Sequence, residues 1–292
     1  MLKKYPSIFL FFSLIIITPV IIMSSSNYFF CWMGLELSLF SFLPIFLGEY
    51  MESMVKYFLV QAAGSSLFLL SIMMNSMNFF FFSLALKVGM FPFFQWIPMV
   101  MNSLSWGGCA ILATIQKMAP LFIIMMNKNF FFITVGVISV ILGGFLGINQ
   151  TYMRDLLSYS SVAHSGWMTI ALFISSSLLY FYMLLYFFFT MYVMGKMNNN
   201  KINMVSESSK ESFDLTFSLL VLLGMPPFSM FLLKCWILMH FDITVQIMLV
   251  MGAAIAAFYY LSIVFFNMMK SFKFSYFFCL MMIMSLSPLF MM

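Results

Sequence analysis

Charge is what this sequence has least of. Only 13 basic and 8 acidic residues occur in 292, a charged fraction of 7%, where a soluble domain carries about 25%. A water-soluble globule is thereby excluded. Cysteine is scarce too, and Cys31, Cys109, Cys235 and Cys279 stand singly in apolar runs. They lack the short spacings that hold zinc or an iron–sulfur cluster, so no metal site is expected and the thiols read as core residues. No GxGxxG follows a strand pattern and no GxxxxGK[ST] occurs, so the loops that cradle nucleotides and flavins are lacking. No catalytic residue, no cofactor in this chain and no nucleic-acid partner are expected.

What is present is apolar. Residues of the AVILMFWYC set make up 64% of the chain, with 40 Phe and 33 Met. One core cannot hide that much apolar surface, so most of it must face lipid. A bilayer core about 30 Å thick takes about 20 helical residues per span, and the length then allows ten to twelve helices with short loops. The expected fold is all-α, a single polytopic membrane domain over 1–292 with about eleven transmembrane helices. Apolar runs between polar punctuation place them at about 5–23, 28–47, 57–74, 79–101, 107–126, 130–148, 153–174, 178–195, 213–240, 244–267 and 274–292. The first run follows Lys3 and Lys4 but is long enough to span and lacks an Ala-x-Ala site, so it reads as a helix rather than a cleaved signal.

The loop charges orient this arrangement. The N-terminus and the connections after even-numbered spans collect Lys3, Lys4, Lys56, Arg154, Lys196, Lys201, Lys210, Lys270 and Lys273, against Lys128 alone on the other side. That bias places the N-terminus inside. The polar stretch from Lys196 to Asp214 reads as a loop on the positive side with no chemistry of its own.

Four charges are not explained by loops. Glu36, Lys87, Lys117 and Lys234 fall near the middle of predicted spans. A lysine eight residues from a helix end is about 12 Å deep and cannot snorkel that distance. Each central charge facing lipid would cost about 3 kcal/mol, so the four must face one another or internal water. One acid and one lysine could form a buried packing pair, but three lysines and one acid cannot all pair. An amine held in low dielectric without a counter-ion gives up its proton more readily than one in water, which suits a proton relay. His164, within the seventh span, is read either as a packing histidine or as a proton carrier.

Two of these lysines accompany a broken span. Gly89-Met90-Phe91-Pro92-Phe93 and Gly224-Met225-Pro226-Pro227-Phe228 share the pattern Gly-Met-x-Pro-Phe, five spans apart. Glycine permits a bend and proline removes a donor, so both helices should be discontinuous and line a cavity rather than lipid. A five-helix repeat is odd-numbered, and its second copy enters the membrane from the opposite side. The expected repeats are about 5–126 and 130–267, with a final helix at 274–292.

Six segments carry a family resemblance: Trp32-Met33-Gly34-Leu35-Glu36; Lys56-Tyr57-Phe58-Leu59-Val60-Gln61; Lys87 through Phe93; Gln116-Lys117-Met118-Ala119-Pro120; Asn149-Gln150-Thr151 leading into Ser158-Tyr159-Ser160-Ser161; and Gly224 through Phe228 with Lys234. In this order they resemble the smallest antiporter-like membrane subunits of mitochondrial respiratory complex I. The resemblance implies a proton-translocating subunit of the mitochondrial inner membrane with a matrix-facing N-terminus, partnered by lipid and by the other membrane subunits. It also implies that FMN, iron–sulfur clusters and ubiquinone belong to other subunits, whose electron transfer from NADH drives the pump. In the family the positions of Glu36 and Lys87 form a pair, Lys117 continues a hydrated axis, Lys234 sits in the second half, and His164 matches a histidine between the lysine clusters. Phe94, Met99 and Asp155 depart from the family pattern. The alternatives are a sodium or proton antiporter subunit and a mainly structural spacer.

Overall fold

The computed structural model describes residues 7–46, 51–205, 213–226 and 228–268. Lys3, Lys4, Lys210, Pro227, Lys270, Lys273, Cys279 and the expected span at 274–292 lie outside them. The described residues form helices and no strand; an isolated antiparallel bridge joins Tyr152 and Met204. In chain order the helices are α1 (Ser7–Ser24), α2 (Tyr28–Phe42) with a 3₁₀ turn at Leu43–Phe46, α3 (Met51–Met73), α4 (Met77–Val88), α5 (Trp96–Met101), α6 (Trp106–Ala113) and α7 (Ile115–Met126). They continue with α8 (Phe130–Gly147), α9 (Met153–Ile174), α10 (Ser176–Asn200), α11 (Phe213–Leu223), α12 (Ser229–Met239) and α13 (Ile243–Met268). Among the described residues six stretches are long and apolar enough to cross a membrane: Tyr28–Phe46, Met51–Met73, Trp106–Met126, Phe130–Gly147, Ser176–Asn200 and Ile243–Val264. The chain divides into two compact units, Met1–Val135 and Gly136–Met292, with the boundary inside α8.

In the first unit α2 packs on α1, α3 and α7, and α4 packs on α3 and α7. Phe42, Phe46 and Tyr57 cluster where α2 and the 3₁₀ turn meet α3, in edge-on and tilted contacts with ring centroids 4.9 to 5.7 Å apart. The expected span 79–101 is divided. Gly89, in the left-handed region at φ 74°, ends α4, and its N–H reaches the Leu86 carbonyl while that of Met90 reaches Ala85. This is the closure that glycine makes without the Cβ penalty other residues meet there.

The second unit repeats the device. Gly224, at φ 77°, ends α11; its N–H donates to the Val221 carbonyl and that of Met225 to Leu220. The chain then restarts as α12 at Ser229, so the expected span 213–240 is likewise two short helices.

α9 explains itself by position. It carries Ser158, Ser160, Ser161, His164, Ser165 and Thr169, all buried, too polar a set for a lipid-facing helix. It lies inside the unit, packed on α10 and α12. A Cβ added at Gly143 of α8 would sit 2.8 Å from the Ala163 nitrogen, so the absent side chain lets α8 approach the α9 backbone closely. The serine hydroxyls bond back to carbonyls one turn earlier, as Ser160 does to Leu157 at 2.8 Å and Ser161 to Ser158 at 2.7 Å.

Candidate functional site

In the first unit the break at Gly89 places Lys87 in the last turn of α4, 5% exposed. Its stem lies against Gly64 of α3, where an added Cβ would come within 2.9 Å of the Lys87 Cγ. Carbonyls beside the break also accept from side chains: Trp96 Nε1 donates to the Leu86 carbonyl at 3.1 Å and Gln61 Nε2 to the Lys87 carbonyl at 3.4 Å. Lys117, 3% exposed, lies in the first turn of α7, just past the bend at Thr114 that separates α6 from α7. Its neighbour Gln116 donates to the Ser38 carbonyl of α2 at 3.2 Å.

These elements enclose a cavity of ≈ 10 Å³, about the room one water needs. Lys87, Lys117, Ser38, Tyr57, Gln61 and Gln116 all line it. The two lysines expected on separate spans therefore share one polar pocket. Glu36, partly exposed on α2, acts on the Lys87 ammonium through space. The two are not in direct ion-pair contact, so their coupling runs over a longer distance.

In the second unit Lys234 of α12 and His164 of α9 line a second cavity of ≈ 10 Å³, with Trp167, Tyr259 and Tyr260. Lys234 Nζ donates to the Leu223 carbonyl at the end of α11, 2.7 Å away, and lies 5.5 Å from the Trp167 ring centre. Gly224 makes room for it: an added Cβ would fall 3.1 Å from Nζ. His164 Nδ1 hydrogen-bonds the Tyr182 hydroxyl at 2.9 Å, and its ring lies 4.7 Å from that of Tyr186. Of the residues expected to break helices, Gly89 and Gly224 end them; Pro92 and Pro226 follow in the connecting segments, while Pro227 lies outside the described residues.

Two features depart from the sequence reading. The segment expected as a loop from Lys196 begins as helix, because α10 continues to Asn200. At its far end Asp214, 1% exposed in the first turn of α11, pairs with Lys196 at 3.7 Å. The tyrosines around His164 leave little mark on the sequence pattern. A hydroxyl barely lowers the hydropathy of an aromatic run, so only their four-residue spacing could have marked them.

Apolar helices interrupted at a glycine beside a buried lysine, twice in one chain, mark a membrane protein of the antiporter-like class, and known proteins of that class are similar to it. Residues 73–259 match the family described as NADH:quinone oxidoreductase/Mrp antiporter, transmembrane. The chain has the fold of a chain in respiratory complex I from Thermus thermophilus with bound aureothin, at a TM-score of 0.78 and 19% identity over 89% of this chain and 70% of that one. It is 34% identical to NADH-ubiquinone oxidoreductase chain 2 of Lumbricus terrestris, over 89% of this chain and 87% of the relative. Against the protein of the same name from Artemia franciscana the identity is 33%, over 84% of each. The chain belongs to the NADH-ubiquinone oxidoreductase chain 2 family, a family of multi-pass membrane subunits.

Proposed function

We propose that this chain is a proton-translocating subunit of respiratory complex I in the mitochondrial inner membrane, with its N-terminus on the matrix side. Eleven spans form two inverted five-helix repeats, about 5–126 and 130–267, followed by the span at 274–292. Glu36, Lys87, Lys117, His164 and Lys234 hold and pass protons, and electron transfer from NADH to ubiquinone in other subunits drives them. The observation that carries this reading is the pocket of the first unit, where two buried lysines share water-sized polar space with one acid at a distance. Two amines so placed cannot both remain charged at low cost. A proton on one raises the cost of a proton on the other, and the charge of Glu36 shifts the balance.

The experiment is the paired substitution Glu36→Gln with Lys87→Met, which removes the carboxylate and the ammonium it acts on together, so that neither is left without the other. The assembled complex should oxidise NADH with diminished proton translocation in sealed inner-membrane vesicles. Normal translocation would favour a structural spacer and overturn the reading.

One observation favours a structural role at a single position. Lys234 caps the broken end of α11 through the Leu223 carbonyl, a task that does not require proton release. Arginine at this position separates the two roles, because it can donate the same hydrogen bond and does not give up its proton.

A further inference from the structure

Phenylalanine is the default aromatic of this chain, outnumbering tyrosine 40 to 13. Yet Tyr182, Tyr186, Tyr259 and Tyr260, each 2% exposed or less, gather in the second unit near His164 and Lys234. Packing does not ask for this, since phenylalanine fills nearly the same volume and leaves no hydroxyl to satisfy in a dry interior.

The hydroxyls are ordered. Tyr182, Tyr186 and Thr190 follow one another at four-residue spacing on one face of α10, and all are buried. Tyr182 bonds His164 Nδ1, the Tyr186 hydroxyl bonds the Ser161 side chain of α9, and the Thr190 hydroxyl donates to the Tyr186 carbonyl at 2.8 Å. Beyond Thr190 the same helix carries Lys196, which reaches the buried Asp214 of α11. Ser218, fully buried, lies one turn along α11 from Asp214.

We infer that this hydroxyl-bearing face of α10 is a proton-feed line of the second unit, with the Lys196–Asp214 pair at its outer end and His164 at its inner end, next to Lys234. Tyr182, Tyr186 and Thr190 act by relay. A proton bonds to a hydroxyl oxygen as that hydroxyl's own proton leaves for the next acceptor, with water completing the steps between hydroxyls that do not touch. No phenolate forms and no redox partner is needed. The carboxylate of Asp214 takes up the proton that enters the line, and the imidazole of His164 receives it. The inference rests on the proposed proton transfer through Lys234.

The test uses the assembled complex in sealed inner-membrane vesicles, measuring protons translocated per NADH oxidised and the solvent deuterium isotope effect on translocation. A loss of packing alone leaves the isotope effect unchanged. Tyr182→Phe and Tyr186→Phe remove one oxygen each, Thr190→Val removes a hydroxyl of similar volume, and Tyr180→Phe, on the exposed side of α10, is the control. The expected result is translocation lowered about tenfold in the double tyrosine variant, with an altered isotope effect, and native behaviour in the control. Should the tyrosine variants not assemble, Thr190→Val carries the same expectation. Native translocation in these variants while Lys234→Met is impaired would overturn the feed line and leave the role of Lys234 standing. Native translocation in Lys234→Met would remove the reading on which the line rests.

Discussion

Lys234 closes onto Leu223: its Nζ donates a 2.7 Å hydrogen bond to the last carbonyl of α11, across the break at Gly224. The C-terminal end of a helix carries partial negative charge, so the ammonium form is held there by both the hydrogen bond and the dipole. Proton release from Lys234 therefore weakens the contact that ties α12 to α11, and the break becomes sensitive to the charge of the residue that caps it. Lys234→Arg keeps a donor and a charge but removes the exchangeable proton. It should assemble, and its proton translocation per NADH oxidised in sealed vesicles should fall by about tenfold or more. Native translocation would assign Lys234 to capping alone.

Gly224→Ala should disturb the same contact from the other side. An alanine at φ 77° costs about 1–2 kcal/mol, and its Cβ would sit 3.1 Å from the Lys234 nitrogen. Thermal unfolding of the isolated complex should report lowered stability of this subunit, and translocation should fall with it.

Gly64→Ala addresses the first unit. The new methyl would meet the Lys87 stem at 2.9 Å, and overpacking of this kind costs about 1–3 kcal/mol. The amine must then leave its place in the pocket shared with Lys117, so translocation should drop in complex that still assembles. Gly195→Ala, where an added Cβ meets nothing within 4 Å, is the matched control and should behave as the native chain.

Trp96→Phe removes the indole donor to the Leu86 carbonyl while keeping a large ring. The Leu86 carbonyl keeps its bond from the Gly89 N–H but loses its second donor, a net loss of about 0.5–1.5 kcal/mol, so the end of α4 should loosen. Amide hydrogen exchange over residues 85–90 should speed up relative to the native complex, whereas unchanged exchange would show that the Schellman closure at Gly89 suffices without the indole.

The broken helices and the buried lysines were legible in the sequence because both violate a strong local rule. A charge within an apolar span and a Gly-Met-x-Pro-Phe interruption stand out without any knowledge of neighbours. What the sequence could not supply was which groups meet. Lys87 and Lys117 share a pocket only because α4 and α7 pack together, and Glu36, expected to pair with Lys87, acts on it without direct contact. Asp214 was hidden for a different reason. The residues before it read as polar loop, and its burial depends on α10 continuing past the expected end at 195 to Asn200, so that Lys196 stands beside the first turn of α11. The buried hydroxyls of Ser165, Thr169 and Tyr182 were similarly muted, since each lowers the hydropathy of its span only slightly, whereas the imidazole of His164 was legible from its residue type alone.

The most direct test of proton transfer through the buried lysines is translocation per NADH oxidised in sealed inner-membrane vesicles carrying Lys117→Met. Methionine fills the space of the stem and removes a buried charge, so assembly and stability should be preserved. The proton-relay assignment predicts assembled complex whose translocation is strongly reduced. A native number of protons translocated per NADH would contradict it.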